Sequence, residues 1–149
     1  MRMLILLVSA VCAFPATAQT IPGNTPDIAA IRRLIDGHAI GWNKGDAAMV
    51  AGLWHEDGDI RSGDNTIVKG REAIQMRYQK MFEGWAKGTT HSHPGTVTIR
   101  FLTPEVVVAD GFYEVDGIKA GSSGQSTEKG TWTIVCTKVK GEWGIASLR

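Results

Sequence analysis

The chain has 149 residues, 43% of them hydrophobic, and 16 basic against 15 acidic residues give a formal net charge of +1. This near-neutral balance does not suggest binding to nucleic acid or to an anionic membrane, and we expect neither as a partner. The length suits a single domain with a sizeable core.

The N-terminus has the three parts of a secretory signal peptide. Met1-Arg2-Met3 gives a positive start, an apolar segment of about ten residues follows, and Ala16-Thr17-Ala18 forms an Ala-x-Ala site before Gln19. The apolar run is too short to span a bilayer, which takes about 20 residues. We therefore expect residues 1–18 to be cleaved and the product to be periplasmic or secreted.

The two cysteines have different expected fates. Cys12 would leave with the signal peptide, so Cys136 would be the single cysteine of the mature chain, and no internal disulfide could form. Cys136 lies within an apolar strand pattern, which predicts a buried, inert thiol.

Residues 19–26 read as a flexible lead-in, and the domain is expected to cover residues 27–149. Thr25, Pro26 and Asp27 supply a cap, a proline and an acid for the start of a helix whose apolar positions run to Trp42. Asp46 predicts the cap of a short second helix over residues 47–54. A third helix is predicted from Gly70, with an apolar face that continues to residue 85.

Two short strands are predicted before this third helix, and longer ones follow it. They cover residues 59–61, 66–68, 96–102, 106–116, 131–139 and 143–148, and the Gly- and Ser-rich residues 117–130 are expected to form a loop. Helices gathered early and strands gathered late indicate an α+β fold rather than alternating βαβ units. We expect a curved antiparallel sheet packed against three helices.

The strand over residues 131–139 has two contrasting faces. Trp132, Ile134 and Cys136 alternate with an uncharged, β-branched set consisting of Thr131, Thr133, Val135, Thr137 and Val139. The second set suits a sheet-to-sheet homodimer contact. A threonine-rich face in contact with solvent is the alternative.

Several short segments resemble the nuclear transport factor 2-like superfamily. They are GWNKGD at residues 41–46, LWHEDGD at 53–59, VKGREAI at 68–74, FLTPEVVV at 101–108 and WGIASLR at 143–149. Their order and spacing resemble the SnoaL-like or SgcJ/EcaC-type (domain of unknown function 4440) branch. The resemblance implies a cone-shaped α+β roll around a pocket for a small molecule, commonly built as a homodimer. It does not imply one reaction, because this fold carries isomerases, dehydratases, hydrolases, cyclases and inactive proteins.

The steroid isomerases of this superfamily share the Asn-x-Gly-Asp turn, so the resemblance allows their catalytic positions to be placed by spacing. Their proton-moving aspartate falls on Ser62, their oxyanion-binding tyrosine on His38, and their protonated aspartic acid near Thr131. All three are substituted. A chain without the carboxylate at residue 62 lacks the base for that reaction, so ketosteroid isomerase activity is disfavoured.

Two residues are candidate acids or bases. His38 lies on the apolar stripe of the first helix, where an imidazole could contact a ligand oxygen or simply be a satisfied core histidine. Asp110 interrupts the apolar run over residues 106–109, where a carboxylate has to face a cavity or be paired. Arg100 on the preceding strand is the partner expected in the purely structural interpretation.

Other residues are candidates for contact with a ligand. Aromatic residues would suit a flat organic molecule, and an aspartate could line the pocket mouth or merely cap a turn. His91 and His93, two residues apart on an extended segment, would share a face. They could form a polar pocket rim or a solvated strand end. A metal site completed by His55, Asp57 or Asp59 is the third alternative. The ligand-binding candidates are Trp42, Asp59, Tyr78, His91, His93 and Trp132.

No cofactor is expected, because Gly121-Ser122-Ser123-Gly124 does not stand between a strand and a helix as a nucleotide-binding loop does. We also expect no metal. The sequence therefore predicts an exported small-molecule-binding domain, with acid/base chemistry on a carbonyl or hydroxyl compound as its enzymatic version. The alternative is a non-catalytic dimerisation module of the same fold.

Overall fold

The computed structural model describes residues 23–120 and 124–149, so the predicted signal peptide and the first part of the lead-in lie outside the described residues. Three helices and seven strands follow one another in this part of the chain. In chain order they are α1 (Thr25–Lys44), α2 (Ala47–Ala51), β1 (Trp54–Arg61), β2 (Ile67–Lys69), α3 (Arg71–Glu83), β3 (Thr90–Ser92), β4 (Thr98–Thr103), β5 (Val106–Ala120), β6 (Gly124–Val139) and β7 (Glu142–Leu148).

The seven strands form one open sheet in the order β2-β1-β7-β6-β5-β3, and β4 also pairs with β5. Strand β5 is long enough to pair with β4 along its first half and with β3 near Glu114–Asp116. Pairing is antiparallel except between β1 and β7, which run parallel. Register shifts interrupt the β1–β7, β4–β5, β5–β6 and β6–β7 pairs, and such bulges bend and twist a sheet. The α+β class with a curved sheet and three helices is therefore confirmed.

Helix α1 begins at Thr25, so its N-cap lies one residue earlier than predicted. Asn24, not Thr25, is the N-cap, and its side chain accepts a hydrogen bond of 2.9 Å from the backbone N–H of Asp27. Asp27 in turn accepts hydrogen bonds from the Trp143 indole at 2.7 Å and forms an ion pair with Lys138 at 2.6 Å. The start of α1 is thus tied directly to β6 and β7.

The core lies between the helices and one face of the sheet. On β6, Trp132, Ile134 and Cys136 are buried while the alternate residues are not, which confirms the predicted two-faced pattern. Burial raises the pKa of the Cys136 thiol to about 12, consistent with an inert side chain. None of the helices in residues 23–120 and 124–149 is long and apolar enough to cross a membrane.

The second helix is shorter than predicted. It ends at Ala51, and Trp54, expected in the helix, begins strand β1. Trp54 pairs in register with Ile145 of β7, and its side chain is 1% exposed. Tertiary pairing of β1 with β7 therefore overrides the local helical pattern, and β1 is five residues longer than the predicted strand.

The predicted loop over residues 117–130 is wrong. Strands β5 and β6 continue as a paired hairpin through Ile118↔Ser126 and Ala120↔Gly124, and the connecting residues 121–123 lie outside the described part. Residues 124–129 are exposed, so the strand carries polar residues that resemble a loop. Cross-strand contacts such as the 2.7 Å ion pair of Lys129 with Glu114 hold it together. Strand β3 was not among the predicted strands, although His91 and His93 were expected on an extended segment.

Candidate functional site

A cavity of about 510 Å³ lies between the helices and the buried face of the sheet. Its wall is largely apolar, and exposed charged side chains lie at its rim. The apolar lining includes Leu34, Ile35, Trp54, Ile60, Ile134 and Ile145, and the rim includes Arg61, Glu128 and Arg149. A space of this size suits a small organic molecule.

Three histidines meet on one side of this cavity, and we call His38, His91 and His93 the histidine cluster. One ring nitrogen of each lies within 4.8 Å of one ring nitrogen of the other two. His38 comes from the buried stripe of α1, His91 is the central residue of β3, and His93 follows that strand. The structure therefore brings together two candidates that are neighbours in sequence and one that lies 53 residues before His91.

The hydrogen bonds of the cluster are incomplete. The Tyr78 hydroxyl of α3 lies 2.9 Å from His38 Nε2, which leaves His38 Nδ1 buried and without a partner among the described residues. His91 Nδ1 is also buried and unpartnered there. Buried polar atoms in native proteins almost always have a partner, so these two imidazole nitrogens need a partner that the described residues do not supply.

The surroundings of the cluster favour neutral imidazoles. Burial, followed by the charges that His91 and His93 would carry, holds the pKa of His38 well below its ordinary value. Burial and then His93 lower the pKa of His91 to about 4. Burial also lowers the pKa of His93, against an opposing effect of Asp36. Each ring therefore offers a nitrogen lone pair at neutral pH.

Asn43 holds β3 in place, a role that sequence reasoning missed. Its side-chain oxygen accepts a 2.6 Å hydrogen bond from the backbone N–H of His91, and its side-chain nitrogen donates a 3.0 Å bond to the backbone oxygen of the same residue. Asn43 thus completes the pairing of an edge strand that β5 pairs on its other side. Its place directly after Trp42, the last residue of the apolar stripe of α1, is the one sequence signal for this contact.

Aromatic side chains surround the histidine cluster, and those predicted to contact a ligand line the cavity. Trp42 and Tyr78 lie with ring centroids 6.1 and 5.7 Å from that of His38, and Trp132 lies 5.4 Å from His93. The indole of Trp42 donates a 3.0 Å hydrogen bond to Thr89, and that of Trp132 donates one of 3.0 Å to the Phe112 carbonyl. These bonds fix the two indoles as walls of the cavity.

Asp110 lies apart from this site. It is half-buried on the face of β5 opposite to Val107, Ala109 and Gly111, and it is not among the cavity-lining residues. The Thr133 hydroxyl donates a 2.6 Å hydrogen bond to its carboxylate. The predicted partner Arg100 stands opposite Val108, and no ion pair within the described ranges joins it to Asp110.

The residues considered as further metal ligands, including the predicted rim aspartate, lie outside the histidine cluster. Asp59 accepts hydrogen bonds from Ser147 at 2.6 Å and Arg149 at 2.8 Å, so it positions a rim arginine without lining the cavity itself. One ring nitrogen of His55 lies 2.9 Å from the Thr137 carbonyl, outside the histidine cluster. Asp57 is exposed and is not part of the cluster.

The three positions that correspond to the isomerase catalytic residues all line the cavity. Ser62, His38 and Thr131 are found there, and Ser62 Oγ is a third buried atom without a partner in the described structure. The placement inferred from the resemblance therefore fits the cavity. The substituted side chains leave it without the carboxylate that steroid isomerisation uses.

Comparison with known proteins identifies the fold. Residues 24–149 match the family model of the SnoaL-like domain. No protein of curated function matches the sequence.

Solved structures give the same result. A cystatin-like domain of unknown function from Nostoc punctiforme is 27% identical, with a TM-score of 0.73, over 84% of this chain and 76% of that one. An NTF2-like protein from Novosphingobium aromaticivorans is 23% identical, with a TM-score of 0.69, over 83% and 79% of the two chains. A type 2 hexachlorocyclohexane dehydrochlorinase (LinA) is 18% identical, with a TM-score of 0.74, over 83% and 82%.

The matched region contains every described helix and strand and all three members of the histidine cluster. The SgcJ/EcaC-type branch is not distinguished by these matches and stays a prediction. The chain belongs to the SnoaL-like domain family, within the nuclear transport factor 2-like superfamily.

Proposed function

We propose that this protein binds a small, oxygen-bearing organic molecule in its cavity, with the oxygen placed against the histidine cluster. The observation that carries this proposal is the pair of buried, unpartnered nitrogens, His38 Nδ1 and His91 Nδ1, beside an aromatic and aliphatic wall. A ligand that offered a hydroxyl or carbonyl to these atoms, directly or through water, would supply the hydrogen bond that each lacks. Its ring system would lie against Trp42 and Trp132.

The enzymatic version of this function is acid/base chemistry on a carbonyl or hydroxyl compound. A neutral imidazole can accept a proton from a substrate carbon or hydroxyl and return it at a neighbouring atom. The Tyr78 hydroxyl, bonded to His38 Nε2, would fix the tautomer of that ring and orient it. The similarity in fold to a hexachlorocyclohexane dehydrochlorinase supports an enzyme of small organic molecules as the class.

A matched pair of ligands tests the binding site. 1-Tetralone and tetralin share a fused ring system and differ by one carbonyl oxygen, and their binding can be measured by ligand-observed NMR in the presence of a chelator. We expect tetralone to bind about fivefold more tightly, because one hydrogen bond contributes about 1 kcal/mol. Equal affinity, or failure of both compounds to bind, would contradict the proposal.

Two variants assign the preference to the cluster. His38→Ala should reduce the preference for tetralone while leaving tetralin binding unchanged or improved. His55→Ala is the matched control, because its ring contacts the Thr137 carbonyl outside the cavity. An equal effect of both variants would show that the oxygen does not lie at the histidine cluster.

We further propose that the protein works outside the cytoplasm. The support is the positive, apolar and Ala-x-Ala order of residues 1–18. Expression of the full chain in a bacterium should release a protein whose mass begins at Gln19 into the periplasm or medium. A product that retains Met1 and stays with the cytoplasmic fraction would overturn this assignment.

A homodimerisation module is the second candidate function, and exposed apolar residues on the outer face of the sheet favour it. Leu102, Phe112 and Val139 are 49%, 55% and 50% exposed on β4, β5 and β6. Together with Val135 they could form a sheet-to-sheet contact. Light scattering should give a dimer mass for the wild type and a monomer for Phe112→Lys, with Ile40→Lys on α1 as the control. A monomeric wild type would contradict this contact.

A further inference from the structure

We propose that the histidine cluster binds one divalent transition-metal ion, of the class of Zn²⁺ or Co²⁺, through one nitrogen of each of His38, His91 and His93. At least one coordination position would remain open toward the cavity. This inference goes beyond ligand binding, because the affinity for the metal can be measured with no organic molecule present.

The positions of the three rings carry the argument. The mutual separation of their ring nitrogens is at most 4.8 Å. Nitrogens bound to one zinc ion at 2.0–2.1 Å lie about 3.3 Å apart in a tetrahedron. Closing the cluster around an ion therefore needs a contraction of about 1.5 Å or less, which small rotations about the side-chain bonds can supply.

The hydrogen bonds around the cluster leave free the atoms that a metal needs. Tyr78 occupies Nε2 of His38, so Nδ1 of that ring is the available lone pair in the tautomer whose Nε2–H donates to the Tyr78 oxygen. His91 has a buried, unpartnered Nδ1, and Asn43 forms hydrogen bonds with both its backbone N–H and its backbone carbonyl. A hydrogen bond to the non-ligating nitrogen and a fixed backbone are the outer contacts that metal-binding histidines usually have.

The donor set also selects the class of ion. Three imidazole nitrogens suit zinc, cobalt, nickel and copper, whereas calcium and magnesium prefer oxygen ligands. Three protein ligands with an open position are the pattern of catalytic rather than structural zinc sites. An oxygen-bearing molecule in the cavity would then meet the ion, which polarises a carbonyl or bound water.

The test uses residues 19–149, which is the protein without its expected leader. Metals are first removed with a chelator. Addition of Co²⁺ should produce visible absorption bands that saturate at one ion per chain, and Zn²⁺ should abolish them by displacement. In the wild type, titration with Zn²⁺ should shift the imidazole NMR signals of three of the four histidines and leave those of His55 unchanged. The NMR experiment needs no variant and so does not depend on the folding of a mutant.

Variants then assign the ligands. His38→Ala, His91→Ala and His93→Ala should each weaken Co²⁺ binding at least about 100-fold, because loss of an outer contact alone costs about 10- to 100-fold. His55→Ala should bind Co²⁺ like the wild type. Absence of saturable binding, movement of the His55 signals with the others, or an equal loss in His55→Ala would overturn the proposal. The tetralone experiment is run in chelator, so its outcome is independent of this one.

Discussion

The close contact between Gly111 and Trp132 permits a quantitative test of how the cavity wall is packed. A Cβ atom added at Gly111 would lie 2.4 Å from Trp132 Cζ2 and 2.8 Å from Cε2. Ordinary carbon contacts are about 3.5–4.0 Å, so the overlap is about 1 Å. Overpacking of this kind costs about 1–3 kcal/mol. We expect Gly111→Ala to lower the free energy of unfolding by this amount. The substitution also reduces the conformational entropy of the unfolded chain, which offsets about 0.4–1 kcal/mol of the loss.

Urea denaturation followed by tryptophan fluorescence measures this change, and Gly63→Ala is the control because nothing lies within 4 Å of its added Cβ. The cost of Gly111→Ala should fall by at least about 1 kcal/mol in a Trp132→Phe background, since the two residues are in contact. Equal stability of the Gly111→Ala and Gly63→Ala proteins would refute the packing described here. An unchanged cost in the Trp132→Phe background would do the same.

Three further predictions concern the supports of the site and the core. Asn43→Ala should lose about 1–2 kcal/mol of unfolding free energy, because two hydrogen bonds to β3 disappear, whereas its neighbour Lys44→Ala should change little. The hydrogen bond from Arg149 holds the pKa of Asp59 below its ordinary value, so Asp59 stabilises the fold above the pKa of an unfolded aspartate and this contribution is lost on acidification. The urea midpoint of the wild type should therefore fall more steeply than that of Asp59→Asn between pH 6 and 3, and parallel curves would contradict the assignment. The Cys136 thiol should react with Ellman's reagent only after unfolding in urea, and rapid reaction of the native protein would show that β6 is not buried there.

Periodicity and caps predicted the elements whose local pattern agrees with their tertiary surroundings. The stripe of α1 and the alternation of Trp132, Ile134 and Cys136 are examples. A helix or strand with one buried face has apolar residues at the spacing of that face, so the pattern is visible in the sequence. The shared side of His91 and His93 followed from extended backbone in the same way. These predictions needed no knowledge of distant contacts.

Distant contacts explain what sequence reasoning missed. His38 lies close to His91, and Asn43 forms hydrogen bonds with β3. Both contacts join residues about 50 positions apart in the chain, so no local pattern predicts them. The exposed part of the β5–β6 hairpin has no buried face, so its composition resembles that of a loop. Trp54 lies in a helical pattern but is taken into β1 by its pairing with β7.

The composition of the cavity wall limits the chemistry of the histidine cluster. Of the described residues that line the cavity, Glu128 is the only carboxylate, and its Oε1 accepts a 2.8 Å hydrogen bond from the Tyr113 hydroxyl. No lining carboxylate is therefore free to stabilise an imidazolium, as the aspartate of a catalytic triad does. The cluster offers lone pairs, and the charge of Asp36 only partly opposes the lowered pKa of His93. A metal ion, or a ligand whose oxygen forms a hydrogen bond with an imidazole N–H or lone pair, would satisfy this arrangement without a carboxylate in the cavity wall.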